Sequence, residues 1–362
     1  MNLGLILSIG ESLKDLEEKG QLNRLVNYNI KKYSQAFDKV YIFSYLNEQK
    51  YTLPKNCTLV PNKKNLNRFL YSLLMPFLNM KQISDCNVLR GLQLTGGIPA
   101  AGAKIFFNKN FVINYGYDYT KLAKIEKKGT QSLLYKLIEF PIIVLSDRVI
   151  VTSKEIKNHL SKKYGSKKIV MIANGVDTNL FRHLKKTTNQ KLTILFIGRL
   201  EIQKNLANLL YALKYIKDSR VIFVGQGSQK NKLLKLAQEQ NIDLELKNTI
   251  IYEKIPKELS NADIFVLPSL VEGNPKILLE AMSCQMAVLG SDVEGIRELI
   301  VDGKNGLICT TDVKSIESGI KKLQNADLRE KLGINARKFI LQNYQINNLL
   351  TKEVNLLLKL AK

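Results

Sequence analysis

Short apolar runs, many of them rich in β-branched and aromatic residues, alternate with segments of helical periodicity along the whole 362-residue chain. This alternation is typical of parallel β-sheets covered by helices on both faces. The runs that we predict as strands lie at residues 3–8, 40–45, 58–61, 88–92, 111–115, 149–153, 169–172, 193–197, 221–225, 264–267 and 287–290. Segments with apolar residues three and four positions apart, such as 22–37, are predicted as helices.

The pattern restarts near residue 180, where the polar stretch 183–191 precedes a new apolar run. A chain of this length also favours two domains over one. We predict one Rossmann-like domain over residues 1–180 and a second over 181–344, with a helix at about 345–362 that packs back on the first. Two such domains facing each other across a cleft would hold a ligand at the carboxyl ends of their strands.

The chain is strongly basic, with 55 Lys and Arg against 32 Asp and Glu, a net charge of +23. Residues 1–185 hold 29 basic and 13 acidic residues, a net charge of +16. Such a field attracts phosphate-bearing ligands, anionic membranes or nucleic acid. The basic residues are scattered, Trp is absent and no nucleic-acid module is recognisable, so we expect no nucleic-acid partner.

The segment 69–78 is apolar and follows Lys63, Lys64 and Arg68. This combination favours docking on an anionic membrane surface, and a core helix is the alternative.

The four cysteines form no CxxC pair, which argues against a zinc site and a disulfide framework. The first apolar run lacks a basic flank and no stretch is long enough to span a bilayer, so we expect a cytoplasmic protein that is peripheral on the inner membrane face.

Two predicted strands end in glycine-containing turns. Gly198 and Arg199 follow the strand at 193–197, with Lys204 further along, and Gly225 and Gly227 follow the next strand. Glycine lets a ligand approach the backbone, and the two cations are suited to neutralise a diphosphate. Exposed loops with ordinary basic residues remain the alternative.

The segment 268–282 is the strongest motif, because a predicted strand ends there and a helix begins. We expect Asn274 to be the N-cap and Pro275 the first helical residue, so that the N–H groups of Lys276 and Ile277 form an anion site. Glu272 precedes this helix, whereas Glu280 lies two turns inside it in an apolar context. Carboxylates at these positions are suited to accept hydrogen bonds from sugar hydroxyls.

These residues resemble glycosyltransferase family four, the group 1 enzymes with a retaining mechanism and the GT-B fold, of the bacterial surface-polysaccharide type. The resemblance rests on GRL at 198–200 with KN at 204–205, and on EGNPKILLEAM at 272–282 with its EX7E spacing. It also rests on the segments 146–153, 174–177, 261–269, 295–300 and 302–306. It implies a nucleotide-sugar donor held by the second domain, with Arg199 and Lys204 on the diphosphate, Glu280 on the ribose and Glu272 on the transferred sugar. Gly10, Gly273 and Asn274 would complete the donor site.

The acceptor side matches the family less well. Members often carry a histidine after the fifth strand, where this chain has the sequence Asn-Tyr-Gly-Tyr-Asp at 114–118. Arg90, Tyr117 and Asp118 are therefore the acceptor-side candidates, and turn residues are the alternative. We predict His159 and His183 to lie on a surface helix and in a linker.

No DxD pair is present, so we expect no metal and no cofactor, and the cations would stabilise the leaving diphosphate. The resemblance implies transfer of a sugar, with retention, to a lipid-linked glycan in surface polysaccharide or lipopolysaccharide synthesis. A nucleotide-sugar epimerase of the same fold is the first alternative, and a basic nucleic-acid-binding protein is the second.

Overall fold

The computed structural model describes residues 1–49, 51–126, 129–184 and 191–362. The chain forms two compact units. The first contains Met1–Lys121, Gly129–Ala173 and Asn347–Lys362, and the second contains Asn174–Ile346 with the short stretch that begins at Leu122.

The first unit is built on a parallel sheet whose strands are almost fully buried at its centre. Among the described residues its strands are β1 (Asn2–Ile6), β2 (Lys39–Phe43), β3 (Cys57–Val60), β4 (Val88–Gly91), β5 (Asn110–Tyr115), β6 (Arg148–Val151) and β7 (Ile169–Met171). Their order is β3-β2-β1-β4-β5-β6-β7. The chain thus moves outward from β1 in one direction and returns to the other side of β1 with β4, which makes the β1–β4 edge a topological switch point.

Helices connect these strands. They are α1 (Leu13–Glu18), α2 (Leu22–Arg24), α3 (Lys31–Ala36), α4 (Arg68–Leu78), α5 (Met80–Asp85), α6 (Gly97–Phe107), α7 (Tyr119–Ile125), α8 (Gly129–Leu145) and α9 (Lys154–Tyr164). A π-helical turn at Leu25–Ile30 joins α2 to α3. The helix predicted at 22–37 is therefore present and contains one widened turn.

The second unit repeats the scheme with a shorter sheet. Its described strands are β8 (Leu192–Ile197), β9 (Ser219–Val224), β10 (Leu244–Lys247), β11 (Ile264–Leu267), β12 (Ala287–Ser291) and β13 (Leu307–Cys309), in the order β10-β9-β8-β11-β12-β13. Its helices are α10 (Leu206–Leu213), α11 (Lys230–Glu239), α12 (Ile255–Ser260), α13 (Lys276–Ser283), α14 (Glu294–Arg297), α15 (Val313–Lys322) and α16 (Ala326–Asn343). Here the switch point lies between β8 and β11.

The C-terminal helix, α17 (Ile346–Ala361), contributes most of its length to the first unit. Its Glu353 is buried and accepts hydrogen bonds from the Arg90 guanidinium at 2.6 Å and from the Tyr33 hydroxyl at 2.8 Å. Asn110 at the start of β5 donates to the carbonyl of Leu360. Removing one partner of such a buried ion pair is strongly destabilising, so this helix is an integral part of the unit.

All the strands that we predicted from the sequence are present, within one or two residues at their ends. Two strands were not predicted. β10 has the sequence LELK and lies at the edge of its sheet, where charged residues are tolerated, and β13 has only three residues. Among the described residues, no helix is long and apolar enough to cross a membrane.

Candidate functional site

The loops that follow β8 and β11 meet at the switch point of the second unit's sheet, where α/β proteins of this type bind ligands. The backbone N–H of Leu270 donates to the carbonyl of Gln203 at 2.8 Å. The buried side chain of Gln203 donates to the carbonyl of Val271 at 3.0 Å. These two hydrogen bonds fix one loop against the other. Sequence reasoning missed Gln203, because nothing distinguishes it from a solvent-exposed glutamine.

Lys204 and Glu272 form an ion pair where these two loops meet. The sequence analysis assigned Lys204 to the diphosphate and Glu272 to the transferred sugar. The Lys204 Nζ lies 2.5 Å from the Glu272 Oε1, and both side chains are nearly buried. The Ser269 hydroxyl donates to the same oxygen at 2.7 Å. The carboxylate is therefore held in one orientation by two donors, and the ammonium group is held beside it.

Arg199 is the exposed cation of the site, with 58% of its side chain accessible to solvent. Its guanidinium donates to the Gln203 Oε1 at 3.1 Å and lies 3.8 Å from the carboxylate of Glu126. The Glu126 side chain is nearly buried, but this contact is long and the guanidinium lies mostly in solvent, so the pair contributes modestly to stability. The planar fork of donors is thus oriented by Gln203 and remains accessible to an anion.

The backbone and side chain of Asn205 explain why an asparagine follows Lys204 in the KN pair. Its backbone is left-handed, with φ of 55°, a conformation that asparagine adopts more readily than most residues. Its Nδ2 donates to the carbonyls of Pro268 at 3.1 Å and Thr311 at 2.8 Å. Asn205 therefore fastens the start of α10 to the ends of two other loops.

The glycines after β8 and β9 let two strand-end turns lie in direct contact. A Cβ at Gly225 would lie 1.9 Å from the carbonyl oxygen of Gly198, and one at Gly227 would lie 2.4 Å from that of Leu200. Gly225 also has a φ of 148°, which disfavours other residues. Neither position tolerates a side chain unless the Gly198 turn moves.

The helix that follows Glu272 begins one residue later than we predicted. Pro275 is the N-cap and Lys276 the first residue of α13, with no side-chain cap. The expectation that Asn274 caps this helix is wrong, because its Oδ1 accepts from the backbone N–H of Asn174 at 2.9 Å. Asn174 also donates from its side-chain amide to the Asn274 carbonyl at 2.6 Å, so Asn174 donates both hydrogen bonds of this pair.

The uncapped start of α13 exposes Lys276 and leaves Ile277 half-buried. Glu280 is 3% exposed, one of the few carboxylates placed inside a unit's core. Gly273 is buried against Gly295, where a Cβ would lie 2.1 Å from the Gly273 carbonyl oxygen. The Glu272–Gly273 turn is therefore supported from α14 as well as from Lys204.

In the first unit, the loops after β1 and β4 meet at that unit's own switch point. The backbone N–H of Ile9 donates to the Thr95 hydroxyl at 3.2 Å. Gly10 has a φ of 73°, and a Cβ there would lie 2.7 Å from the side chain of Arg68. The left-handed backbone favours glycine at this turn, and the flexible Arg68 side chain occupies the space that a Cβ would take.

Arg90 does not lie where an acceptor-side residue is expected. It is 3% exposed, and its guanidinium is bound by Glu353, the Gly91 carbonyl and Asn114. Burial opposes the charged form, yet the Glu353 carboxylate raises the pKa of Arg90, so the guanidinium stays charged in the interior. We therefore reassign Arg90 from the acceptor side to a structural role, in which it holds α17 and the end of β4 in place.

Tyr117 and Asp118 are half-buried in the loop after β5. Asp118 accepts from the backbone N–H of Lys121 at 2.9 Å and so caps the first turn of α7. The Tyr117 ring packs against Tyr119, which in turn contacts Tyr115 and Tyr135. Tyr115 and Tyr119 are buried, so this cluster of four tyrosines packs the loop after β5 against the core, and only Tyr117 and Tyr135 are partly accessible. The sequence did not indicate this cluster.

The remaining chemistry-bearing residues are dispersed. His159 and His183 are exposed, as predicted. Burial raises the pKa of the Cys86, Cys284 and Cys309 thiols to about 12, so all three are protonated at neutral pH. Within the described ranges, no group of three or more His, Cys, Asp or Glu side chains is arranged to hold a metal ion.

Residues 177–339 match the family model described as "Glycosyl transferases group 1". An uncharacterized glycosyltransferase of Methanocaldococcus jannaschii is 30% identical over 261 residues, which cover 67% of this chain and 66% of that protein. The matched range contains both site loops and α13. The chain belongs to the group 1 glycosyltransferases. The resemblance that we stated from the sequence is thereby confirmed.

Another relative of this glycosyltransferase is the N-acetylgalactosamine-N,N'-diacetylbacillosaminyl-diphospho-undecaprenol 4-alpha-N-acetylgalactosaminyltransferase of Campylobacter jejuni. It is 28% identical over 292 residues, which cover 76% of this chain and 79% of that protein. For three of the most similar relatives, the chain spans only 54% to 66% of their length.

Solved structures establish the fold of this glycosyltransferase. Sucrose-phosphate synthase from Thermosynechococcus elongatus superposes with a TM-score of 0.85 at 17% identity, with 99% of each chain covered. Anabaena HepE in complex with UDP superposes with a TM-score of 0.77 at 14% identity, with 99% of this chain and 100% of that chain covered. The predicted α/β GT-B fold of two Rossmann-like domains is confirmed.

Proposed function

We propose that this glycosyltransferase transfers a sugar from a nucleoside diphosphate sugar to a lipid-linked glycan. The observation that carries the proposal is the junction of the β8 and β11 loops, where Arg199 is exposed beside the Lys204–Glu272 pair. A diphosphate that leaves the sugar develops negative charge, and preoriented cations stabilise that charge. The name of the Campylobacter relative, which specifies a diphospho-undecaprenol acceptor, supports a lipid-linked acceptor.

Each polar group of the junction has a part in this reaction. Arg199 binds the diphosphate with its fork of donors, and Lys204 lies beside it and orients Glu272. Glu272 accepts hydrogen bonds from hydroxyls of the transferred sugar. Glu280, further along α13, accepts from the ribose, and the backbone N–H groups of Lys276 and Ile277 face the phosphates at the positive end of the helix dipole.

For the first unit, Gly10 stays the donor-side candidate, and Tyr117 and Asp118 stay the acceptor-side candidates. The anomeric configuration is retained, because the leaving phosphate takes the proton of the acceptor hydroxyl while that hydroxyl attacks the same face of the sugar. The enzyme works at the cytoplasmic face of the membrane.

The direct test is an incubation with UDP-glucose, UDP-galactose, UDP-N-acetylglucosamine or GDP-mannose and an undecaprenyl-diphosphate-linked sugar. We expect one donor to give a longer lipid-linked glycan, whose new linkage keeps the donor's anomeric configuration by NMR. An epimerase would instead convert the nucleotide sugar in the absence of any acceptor. Conversion without an acceptor, or an inverted linkage, would contradict the proposal.

Glu280→Gln is expected to weaken binding of the nucleotide about tenfold, because a neutral amide accepts less strongly from ribose hydroxyls than a carboxylate does. Isothermal titration with the donor's nucleoside diphosphate measures this. Glu239→Gln on the exposed face of α11 is the matched control and should bind like the wild type. Unchanged affinity in Glu280→Gln would remove this residue from the ribose site.

Activity is expected to persist in excess EDTA, because Arg199 and Lys204 supply the positive charge that metal-dependent transferases take from a cation. Turnover should stay within about twofold of the untreated enzyme. The control is the same assay with added magnesium or manganese. Loss of activity on chelation and its return with either metal would show that the two side chains do not replace a metal.

A further inference from the structure

The first unit carries an extended apolar surface on one side of its sheet. Leu73 of α4, Phe106 of α6 and Leu137 of α8 expose 63%, 63% and 65% of their surface. Phe69, Ile105 and Phe140 on the same helices are more than half exposed as well. We refer to the exposed apolar side chains of α4, α6 and α8 as the three-helix face. Isolated exposed apolar residues are common, whereas a concentration on neighbouring helices marks an interaction surface.

The three helices are packed side by side, so the exposed side chains form one surface. The rings of Phe77 on α4 and Phe106 on α6 have their centroids 4.8 Å apart. A Cβ at Gly102 of α6 would lie 3.3 Å from Pro76 of α4, and one at Gly97 would lie 2.5 Å from Ile142 of α8. Glycines in α6 thus allow α4 and α8 to approach it from both sides.

The charge of this surface has one sign. Every residue of α4, α6 and α8 is described, and their sole carboxylate, Glu139, is buried and bound by the Tyr115 hydroxyl and the Lys163 ammonium. Arg68 at the start of α4 and Lys136 within α8 are exposed. Lys63 and Lys64, which are also exposed, precede α4. An apolar centre bordered by cations and free of exposed carboxylates complements an anionic lipid surface.

We propose that the three-helix face docks on an anionic lipid bilayer, with its apolar side chains in the interfacial region and its cations among the headgroups. The inference rests on the proposed function in one respect, since a lipid-linked acceptor requires the enzyme to reach a membrane. A second copy of the chain is disfavoured as the occupant, because residues 1–185 carry a net charge of +16 and two such halves repel each other.

The three-helix face is larger than the apolar segment 69–78 that the sequence analysis indicated. The apolar run 69–78 covers α4 alone, whereas the structure adds α6 and α8. Leu133 and Leu137 lie four residues apart on α8 and are both exposed, so one side of this helix faces solvent with apolar residues. Lys136 beside them can place its ammonium group at headgroup level while its alkyl chain stays in the apolar region.

Flotation with phosphatidylglycerol vesicles tests the assignment, with phosphatidylcholine vesicles as the neutral control. The wild type should float with anionic vesicles at 0.1 M salt and be released at 1 M, where the Debye length falls from about 10 Å to about 3 Å. The double variant Leu137→Glu/Phe140→Glu on α8 should bind at least tenfold more weakly. The double variant Leu70→Glu/Leu73→Glu on α4 should be weakened to a similar extent.

The matched control is Ile251→Glu/Val301→Glu, which changes two exposed apolar residues of the second unit and should float like the wild type. Equal recovery with neutral and anionic vesicles, or none with either, would overturn the proposal. So would wild-type flotation of the α8 variant, or a dimer in sedimentation that the α4 and α8 variants dissociate. Circular dichroism melts verify that all variants fold.

The failure of this inference can be separated from the failure of the proposed function. The α4 and α8 variants change no residue of the donor site, so their affinity for the nucleoside diphosphate should equal that of the wild type. Flotation lost with donor binding kept supports the docking surface. Transfer activity without any lipid binding by the wild type would leave the proposed function standing and overturn the docking surface alone.

Discussion

Replacing Lys204 by methionine is expected to lower turnover about 100-fold or more, while the chain still folds. The variant removes the ammonium group beside the leaving diphosphate and also the cation that lies 2.5 Å from Glu272. Because the pair is nearly buried, the Glu272 carboxylate would then lack its counter-charge, and we expect a loss of about 3 kcal/mol in the free energy of unfolding. Steady-state kinetics and urea denaturation measure the two effects.

The double variant Lys204→Met/Glu272→Gln separates the two effects. The glutamine keeps the shape of the side chain and can still accept from Ser269, so stability should recover toward the wild type. Affinity for the nucleoside diphosphate, which carries no transferred sugar for Glu272 to bind, should stay as low as in Lys204→Met. Recovery of that affinity together with stability would mean that Lys204 acts only by holding the loops together. Lys235→Ala on α11 is the exposed control and should change neither quantity.

Arg199→Ala is expected to lower turnover about 100-fold with only a small change in stability. The guanidinium is exposed and its contact with the nearly buried Glu126 carboxylate is long at 3.8 Å, so we expect the free energy of unfolding to fall by about 1 kcal/mol or less. This combination of a large kinetic and a small thermodynamic effect is the signature of a residue placed for the ligand. Steady-state kinetics and thermal denaturation measure the two quantities.

Arg199→Lys provides the graded comparison for this position. It keeps the positive charge but loses the planar fork that Gln203 orients, so turnover should lie between those of the wild type and Arg199→Ala. Near wild-type turnover in Arg199→Ala would exclude this residue from the diphosphate site.

The fold was readily predicted because each central strand of a parallel sheet is a compact apolar run. Strands such as β8 and β11 are buried on both faces and are recognisable without context. β10 and β13 escaped prediction because an edge strand needs little apolar character and a three-residue strand leaves almost no pattern. The widened turn in the first long helix also has no sequence pattern that we recognise.

The proximity of the candidate site residues could be predicted from the sequence, whereas the hydrogen bonds and ion pairs between them could not. Gly198, Arg199, Lys204 and Glu272 follow strands that the topology brings to one edge, so their proximity follows from the order of the sheet. The Lys204–Glu272 pair and the Asn174–Asn274 pair link residues 68 and 100 positions apart. Such long-range pairs depend on how the loops pack, which periodicity does not report.

Arg90 was wrongly assigned to the acceptor side. A basic residue near the carboxyl end of β4 is a reasonable ligand candidate until the C-terminal helix is placed against it. Glu353, 263 residues further along the chain, supplies the carboxylate that makes Arg90 a structural residue. A charged side chain indicates that an opposite charge lies nearby. Only the fold shows whether that charge belongs to a ligand or to another residue of the protein.

The central claim is that the junction of the β8 and β11 loops binds the diphosphate of a nucleotide sugar. Isothermal titration of the wild type and Arg199→Ala with UDP, GDP and the corresponding monophosphates tests it most directly. We predict that one diphosphate binds the wild type at least tenfold more tightly than its monophosphate, and that Arg199→Ala loses most of this difference. Equal affinity for diphosphate and monophosphate in the wild type, or a difference that Arg199→Ala retains, would contradict the account.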